Sequence, residues 1–372
     1  MTRPLPRPRA RLTGLATAAP ANRVPQAALA EAAAACCSPR VARLLPRLYA
    51  RSGVESRGCA VFPLPPAADR GSHDAWVAAI RGVFPPATAD RPLGPGVAER
   101  MKLYKTAALP LAEEAAAGAL TAAGVDAAGV DQLVTVSCTG FAAPGVDLAL
   151  MDRLGLSPAT ARTHVGFMGC HGAMNGLRVA GALASASPGA RVLLVCVEVC
   201  TAHFRYGDEG LTANSLFADG AAAAVVEAGG DRSPEVLDHA SLVLPGSADA
   251  MTWSIGAHGF EMTLSPAVPG LIAGSLGGVI APWLARHGLT PAEVAGWAIH
   301  PGGPRVIDAV GAALGLPDAA LAPSHALLRE HGNMSSPTVL FLLERLRQGA
   351  PAGPRVMLAF GPGLTAEAAL LR

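Results

Sequence analysis

Short apolar runs that end in polar or glycine-rich turns recur along this chain, and they recur twice in the same order. The first set is DQLVTVSCTG (131–140), GCHGAMNGLRVAGAL (169–183) and GARVLLVCVEVCT (189–201). The second is VAGWAIHPGG (294–303), GNMSSPTVLFLLERL (332–346) and GPRVMLAFGPGLT (353–365). In each set a strand-length run closes on a polar loop, at Cys138 and at His300. About thirty residues later a glycine and a polar residue, Cys170 or Asn333, open an apolar helix. An Arg-Val-rich strand follows after about twenty more and leads into a turn. Strand, helix, strand in that order predicts parallel βαβ units whose sheets are buried between helices. An α/β protein of two duplicated halves is expected, one over residues 1–230 carrying Cys170 and one over 231–372 carrying His300 and Asn333. The cluster AGGDRSPE (228–235) marks the junction, and RLTGLATAAP (11–20) reads as a first strand stopped by its proline.

Composition narrows the class. Of 372 residues 51% are hydrophobic and 15% charged, too apolar for a disordered chain and enough for a large core. A net charge of +1 and 4% aromatic residues point away from nucleic acid and from an anionic membrane as partners. No window approaches about 18 uninterrupted apolar residues, so no membrane crossing is expected. The N-terminal stretch is basic and then small and apolar, yet Thr13, Gly14, Thr17 and Pro20 interrupt it, which argues against a signal peptide. Seven cysteines without a CxxC favour neither a disulfide scaffold nor a metal site, and a reduced, cytoplasmic protein is the expectation.

Loops at strand ends and helix N-termini are where α/β sheets place ligands, so two matching halves bring Cys170, His300 and Asn333 to one face. Each has two readings. Cys170 is either a small buried residue or a nucleophile whose thiolate is favoured by a helix N-terminus, which would depress its pKa. His171 is a poor partner for it, because adjacent helical residues point about 100° apart. His300, before Pro301-Gly302-Gly303, is either a satisfied core histidine or the base. Asn333 is either a helix N-cap or an amide donor to an oxyanion or enolate. FGPGL (360–364) has no titratable group and reads as a backbone turn near the sulfur.

These stretches resemble the type III polyketide synthases, the chalcone-synthase-like family with a thiolase-like fold. The similarity runs from about residue 10 to the end of the chain. Its markers are GCHGA around Cys170, IHPGGPR around His300, GNMSS around Asn333, FGPGLT, and LFADGAAAAVV (216–226) with Phe217. The resemblance implies a layered αβαβα sandwich. It also implies an acyltransferase that loads an acyl-CoA starter on Cys170 and extends it by decarboxylative condensation with malonyl-CoA. In that scheme His300 holds the thiolate charged, and His300 with Asn333 stabilises the enolate. Phe217 is the gatekeeper, CoA thioesters are the substrates, no metal or further cofactor is needed, and the enzyme is a homodimer. The product class is a pyrone, resorcinol or phloroglucinol.

The pocket implied by the resemblance comprises Phe217, Met262, Cys138, Thr139, Ala143, Cys200, His203, Trp253 and Ser335. Met262 stands where plant members have a second gatekeeper phenylalanine, and Cys138, Cys200 and His203 where they have threonines. Trp253 replaces a glycine, and Ala143 a methionine that reaches the partner subunit. SCTGF and the cysteines resemble bacterial members. Arg51, Arg57, Gly302, Gly303 and Arg305 are the candidate CoA contacts, with a solvated surface role as the alternative for the arginines. The competing reading is a ketoacyl synthase III-like acyltransferase that uses an acyl carrier protein. No dense Lys/Arg cluster for docking such a protein is visible, and HPGGP and GPGL favour the polyketide branch.

Overall fold

The first strand, β1 (Ala10–Ala18), is followed by a lobe of short elements: β2 (Arg23–Pro25), α1 (Gln26–Ala34), α2 (Pro39–Ala42), α3 (Leu45–Ala50), β3 (Ser56–Gly58) and α4 (His73–Val83). This lobe closes over its own core of Leu29, Phe62, Trp76 and Phe84. The structure is a computed structural model and describes residues 9–230 and 234–372. Of the stretches read above, residues 1–8 of the N-terminal segment and 231–233 of the junction lie outside the described residues.

The first half continues with α5 (Val97–Ala123), β4 (Gln132–Ser137), α6 (Val146–Leu154), β5 (Ala161–Gly166), α7 (Gly172–Ala186), β6 (Val192–Val199), α8 (Leu211–Leu216) and β7 (Asp219–Ala228). The second half contains β8 (Val236–Val243), the hairpin β9 (Met251–Gly256) and β10 (Gly259–Leu264), α9 (Val268–Ser275) and α10 (Gly277–Ala285). It then runs through β11 (Gly296–Ile299), α11 (Pro304–Leu314), α12 (Asp318–His331), α13 (Thr338–Gly349), β12 (Arg355–Gly361) and β13 (Thr365–Leu371).

The duplication is visible in the sheets. One has the order β1-β7-β6-β4-β5 and the other β8-β13-β12-β11, the same path apart from the extra edge strand β5. Helices α7 and α13 lie between them, and one core joins Ala173 and Leu177 of α7, Val339 and Leu343 of α13, and residues of both sheets. Outside the first sheet lies α5, and outside the second lie α9, α10 and α11, which completes the αβαβα order of a thiolase-like fold. Strands covered on both faces read as continuous apolar runs, and every residue of VLLVCVEV in β6 is buried. Small residues let helix and sheet approach. The face of α5 toward the sheet is Ala108, Ala112, Ala115 and Ala119, and a Cβ on Gly14 of β1 would stand 2.2 Å from the Ala119 carbonyl oxygen.

The two expected βαβ units are parallel, β4 with β6 across α7 and β11 with β12 across α13, but the sheets as wholes are mixed: β4 also runs parallel to β5, whereas β1–β7, β6–β7, β12–β13 and β13–β8 are antiparallel. In the second half β13 follows β12 after a turn too short for the crossover that parallel pairing needs, whereas in the first half β7 returns antiparallel after a longer connection that contains α8. Among the described residues, Val268–Ala285 has the length and mean hydropathy, 1.5, of a membrane span. It forms α9 and α10, with Pro282 inside α10, and buries Ile272, Ile280, Trp283 and Leu284 in the second core.

Candidate active site

The turn that carries Cys170 is set by glycines. After β5, Phe167 (φ 57°) and Gly169 (φ 72°) take left-handed conformations, and Gly169–His171 form a 3₁₀ turn that runs into α7 at Gly172. A Cβ on Gly169 would lie 2.4 Å from Pro362 Cδ, so only glycine fits against the 360–364 turn. Cys170 is buried, two residues ahead of the α-helix proper. His171 turns away, its Nδ1 at 2.7 Å from Asn175 Oδ1 and its Nε2 at 2.6 Å from Thr365 Oγ1.

His300 follows the buried strand β11, and its backbone N–H donates to the Leu358 carbonyl at 2.8 Å. The ring is buried, and neither nitrogen has a hydrogen-bond partner. Gly303 (φ 143°) caps α11, so the chain leaves the site at once. Asn333 comes from the other side. Its N–H donates to the Leu216 carbonyl and its carbonyl accepts from Ala218 N–H, both at 2.8 Å, which fixes it beside Phe217. Its Oδ1 accepts from Ser335 N–H at 2.8 Å, so the amide NH₂ is the end left for the Cys170 sulfur. Helix α13 begins only at Thr338, with Pro337 in the cap position, so Asn333 caps no helix.

Burial dominates the electrostatics. It pushes the Cys170 thiol up to about 11, against the opposing hydrogen bonds of Ser335, Asn333 and the Cys170 N–H, while Glu198 adds to the rise. Burial pulls His300 down to about 3, helped by nearby His171. Both directions favour a neutral thiol and a neutral imidazole, which corrects the expected depression of the thiol pKa: desolvation exceeds what these hydrogen bonds return.

One cavity of about 280 Å³ is lined by Cys170, His300 and Asn333 together with Phe217, Met262 and Gly302. Behind it a compartment of about 20 Å³ touches Cys138, Thr139, Cys200, Trp253 and Ser335 as well as Cys170. A third, of about 30 Å³, includes His203. Trp253 and Met262 are cross-strand partners on the β9–β10 hairpin, and the indole N–H donates to the Cys138 carbonyl at 2.9 Å. His203 is occupied by backbone: Phe260 N–H donates to Nδ1 at 3.0 Å, so Nε2–H donates to the Thr139 carbonyl at 2.6 Å.

Other predicted residues lie elsewhere. Ala143 is exposed, in a cis bond to Pro144, on a loop that also exposes Phe141. Arg57 is buried and donates to the carbonyls of Phe217, at 2.6 Å, and Asn214, which corrects its expected role at CoA: its guanidinium braces the segment from Asn214 to Phe217. Arg51 and Arg305 are exposed, and their segments meet where Gly53 packs on Pro304.

Sequence reasoning passed over two features. Glu198 is fully buried and accepts from Cys138 N–H (3.0 Å), Thr139 Oγ1 (2.6 Å) and Ser336 Oγ (2.5 Å), so it ties the Cys138 loop to the Asn333 loop. A lone acid inside VLLVCVEV is the signal that would have revealed it. Arg205 and Glu261 pair at 3.3 Å among the residues lining the main cavity.

The comparisons with known proteins agree with this arrangement. Residues 87–230 match the description "Chalcone and stilbene synthases, N-terminal domain", and residues 235–372 match "Chalcone and stilbene synthases, C-terminal domain". The chain belongs to that family and is a type III polyketide synthase, an acyltransferase of decarboxylative condensation. It is similar to the alpha-pyrone synthesis polyketide synthase-like Pks18 of Mycobacterium tuberculosis, 34% identical over 374 residues, which cover 96% of this chain and 90% of the relative. It is likewise similar to the 1,3,6,8-tetrahydroxynaphthalene synthase of Streptomyces peucetius, 37% identical over 369 residues, 96% of this chain and 91% of the relative. Among solved structures, PKS-I from the brown alga Ectocarpus siliculosus superposes with a TM-score of 0.88 at 32% identity, over 100% of both chains.

Proposed function

We propose that Cys170 carries the growing acyl chain and that His300 and Asn333 activate its partner. The observation that supports this is the meeting of the three groups in one cavity, with both His300 ring nitrogens unpartnered and the Asn333 amide turned to the sulfur. In the loading step the Cys170 proton passes to a His300 ring nitrogen, the thiolate attacks the acyl-CoA carbonyl, and the departing CoA sulfur recovers the proton. In extension, His300 N–H and Asn333 Nδ2–H donate to the malonyl thioester oxygen as carbon dioxide leaves. The resulting enolate carbon attacks the Cys170 thioester and frees the thiolate for the next transfer.

The substrates in this reading are an acyl-CoA starter and malonyl-CoA, with no metal or further cofactor, in the cytoplasm. Arg51, Arg305, Gly302 and Gly303 are the candidate CoA contacts, supported by the packing of the Arg51 turn against the start of α11. A pyrone or a small phenolic ring is the product class, in keeping with the names of the relatives. The chain divides near residue 231 into a nucleophile half and a donor half. It works as a homodimer, which the exposed Phe141, Phe167 and Met168 beside the edge strand β5 favour and sedimentation tests. The deciding experiment is incubation with a panel of acyl-CoAs and radiolabelled malonyl-CoA, with products identified by mass. Labelled cyclic products are expected. Turnover only with acyl carrier protein thioesters would overturn the reading.

A further inference from the structure

Behind the nucleophile turn, His171 sits at the end of a polar chain that runs away from the cavity. Glu367, as a carboxylate, only accepts, and it takes Asn175 Nδ2–H at 3.2 Å. The Asn175 oxygen is therefore the end facing His171, and Nδ1 carries the ring proton. In the neutral ring Nε2 then accepts the Thr365 hydroxyl hydrogen. A second proton reverses that bond: Nε2–H donates to Thr365 Oγ1, whose own hydrogen turns to the Pro362 carbonyl, 3.3 Å away. Both charge states are thus accommodated, and Pro362 is the residue on which Gly169 packs.

The charged groups around this ring come from several elements. Arg178 of α7 pairs with Glu367 of β13 at 3.1 Å, His300 approaches from the end of β11, and Cys170 is adjacent in the chain. From β8, Ser241 donates to Glu367 at 2.9 Å, and His239 feels both Arg178 and Glu367. Gly361 of β12 backs the ring without charge; a Cβ there would stand 2.3 Å from it. Burial and Arg178 hold the ring below its ordinary pKa, against Asn175 and Glu367, and a charge on His171 disfavours one on His300.

We propose that His171 is a positioning residue: while neutral it lets His300 accept the Cys170 proton, and once protonated it closes that transfer. The Sγ–H bond breaks and an N–H bond forms on His300, with no change in net charge. A second cation beside the new imidazolium raises that state, and the proton returns to sulfur. The inference rests on the Cys170–His300 couple proposed above.

Alkylation of Cys170 by iodoacetamide between pH 5 and 9, read by peptide mass spectrometry, tests it without turnover. His171→Gln should move the acid limb of the rate to lower pH, and Glu367→Gln should do the same, because losing the carboxylate makes the ring harder to protonate. Arg178→Met should move it to higher pH. Shifts of about 0.5–1 pH unit, a change in rate on the limb of about three- to tenfold, are expected. A network with only a structural role would not give opposite signs. If His300→Ala flattens the profile while the other three variants track the parent, the role of His171 is overturned. If His300→Ala leaves the profile unchanged, the couple itself is wrong and this inference falls with it.

Discussion

The two halves share a strand path and an inner helix, yet they differ at the points where chain meets cavity. In the first half the 3₁₀ turn runs directly into α7 and holds Cys170 two residues from the helix. In the second, Ser335 (φ 57°), Ser336 and Pro337 intervene before α13 begins at Thr338, and Asn333 stands five residues ahead of it. At the matching strand ends, Cys138 is pinned by its N–H to Glu198, whereas His300 has a ring without partners. Where β6 carries Glu198, the corresponding Arg-Val strand continues into Pro362. A duplicated α/β scaffold thus supplies two strand ends and two helix entrances to one face, and divergence at these four places separates the proposed nucleophile from the proposed donors. Neither half holds the site alone, and Ser336 of the second half, bonded to Glu198 of the first, helps to fasten them.

The strongest break of this comparison is Cys170→Ala. Acyl loading should vanish, while Cys138→Ser and Cys200→Ser still form the adduct, as intact-protein mass spectrometry after exposure to acyl-CoA will show. An adduct elsewhere in the parent protein, with Cys170 unmodified, would assign the nucleophile to a different strand end.

Next in size is the split within the donor half. Removing an oxyanion-type donor costs about 2.7–4 kcal/mol, so Asn333→Ala should slow decarboxylation of malonyl-CoA by a factor of about 10²–10³ while some acyl loading at Cys170 persists. His300→Ala should impair both steps, because His300 also takes the thiol proton. Parental decarboxylation by Asn333→Ala would reduce the side chain to its role in the Ser335 turn.

How much of this was legible can be judged residue by residue. The repeat of strand run, glycine-led helix and Arg-Val strand was readable because both inner helices and their flanking strands are buried on all sides, which forces apolar runs at fixed order. The mixed sheet was not, since β7 and β13 look the same in sequence whichever way they run. The meeting of Cys170, His300 and Asn333 in one cavity followed from the repeat and from family motifs. The fate of Arg57 did not, because a basic residue in the short stretch RSGVESRG gives no sign of whether it will be buried against carbonyls. The helix predicted to start at Asn333 was misplaced for a local reason: Pro337 and the left-handed Ser335 delay it.

A smaller effect sharpens the contrast between two buried histidines, one from each half. His203, lowered to about 4, and His300, lowered to about 3, both stay neutral in the fold as the pH falls. Between about pH 6.5 and 4 the unfolded chain binds protons that the folded chain does not, so stability falls on acidification. From pH 7 to 5 each such histidine costs roughly 2 kcal/mol. Asp219 acts in the other direction: burial raises it to about 6, so its burden eases as the pH falls through that value. Unfolding free energies from urea titrations at pH 7 and 5 should therefore converge in His300→Ala by roughly 2 kcal/mol relative to the parent, and not in Asn333→Ala. Equal acid sensitivity in parent and His300→Ala would mean that the ring is protonated in the fold.

The finest contrast is between the two sides of Cys170. Cys170 lines the cavity of about 280 Å³ and, beside it, a compartment of about 20 Å³, while a space of about 30 Å³ shares Trp253 and Phe217 as lining. Trp253 lines both small spaces, with its indole held between Phe217, centroids 6.5 Å apart, and Phe260, at 5.7 Å, and with its N–H on the Cys138 carbonyl. If the proposed chain on Cys170 folds into these spaces, this one side chain limits its length sterically. Trp253→Gly should join the two small spaces and raise product mass by further malonyl-derived units, and the hairpin will lose some stability with its packing. Ala143→Phe adds bulk on the exposed loop instead; if that loop reaches the cavity of a second copy, product mass should fall. Product mass spectra of both variants decide the matter. An unchanged spectrum in Trp253→Gly would show that the chain grows into the cavity of about 280 Å³ and that the two small compartments take no part in its length.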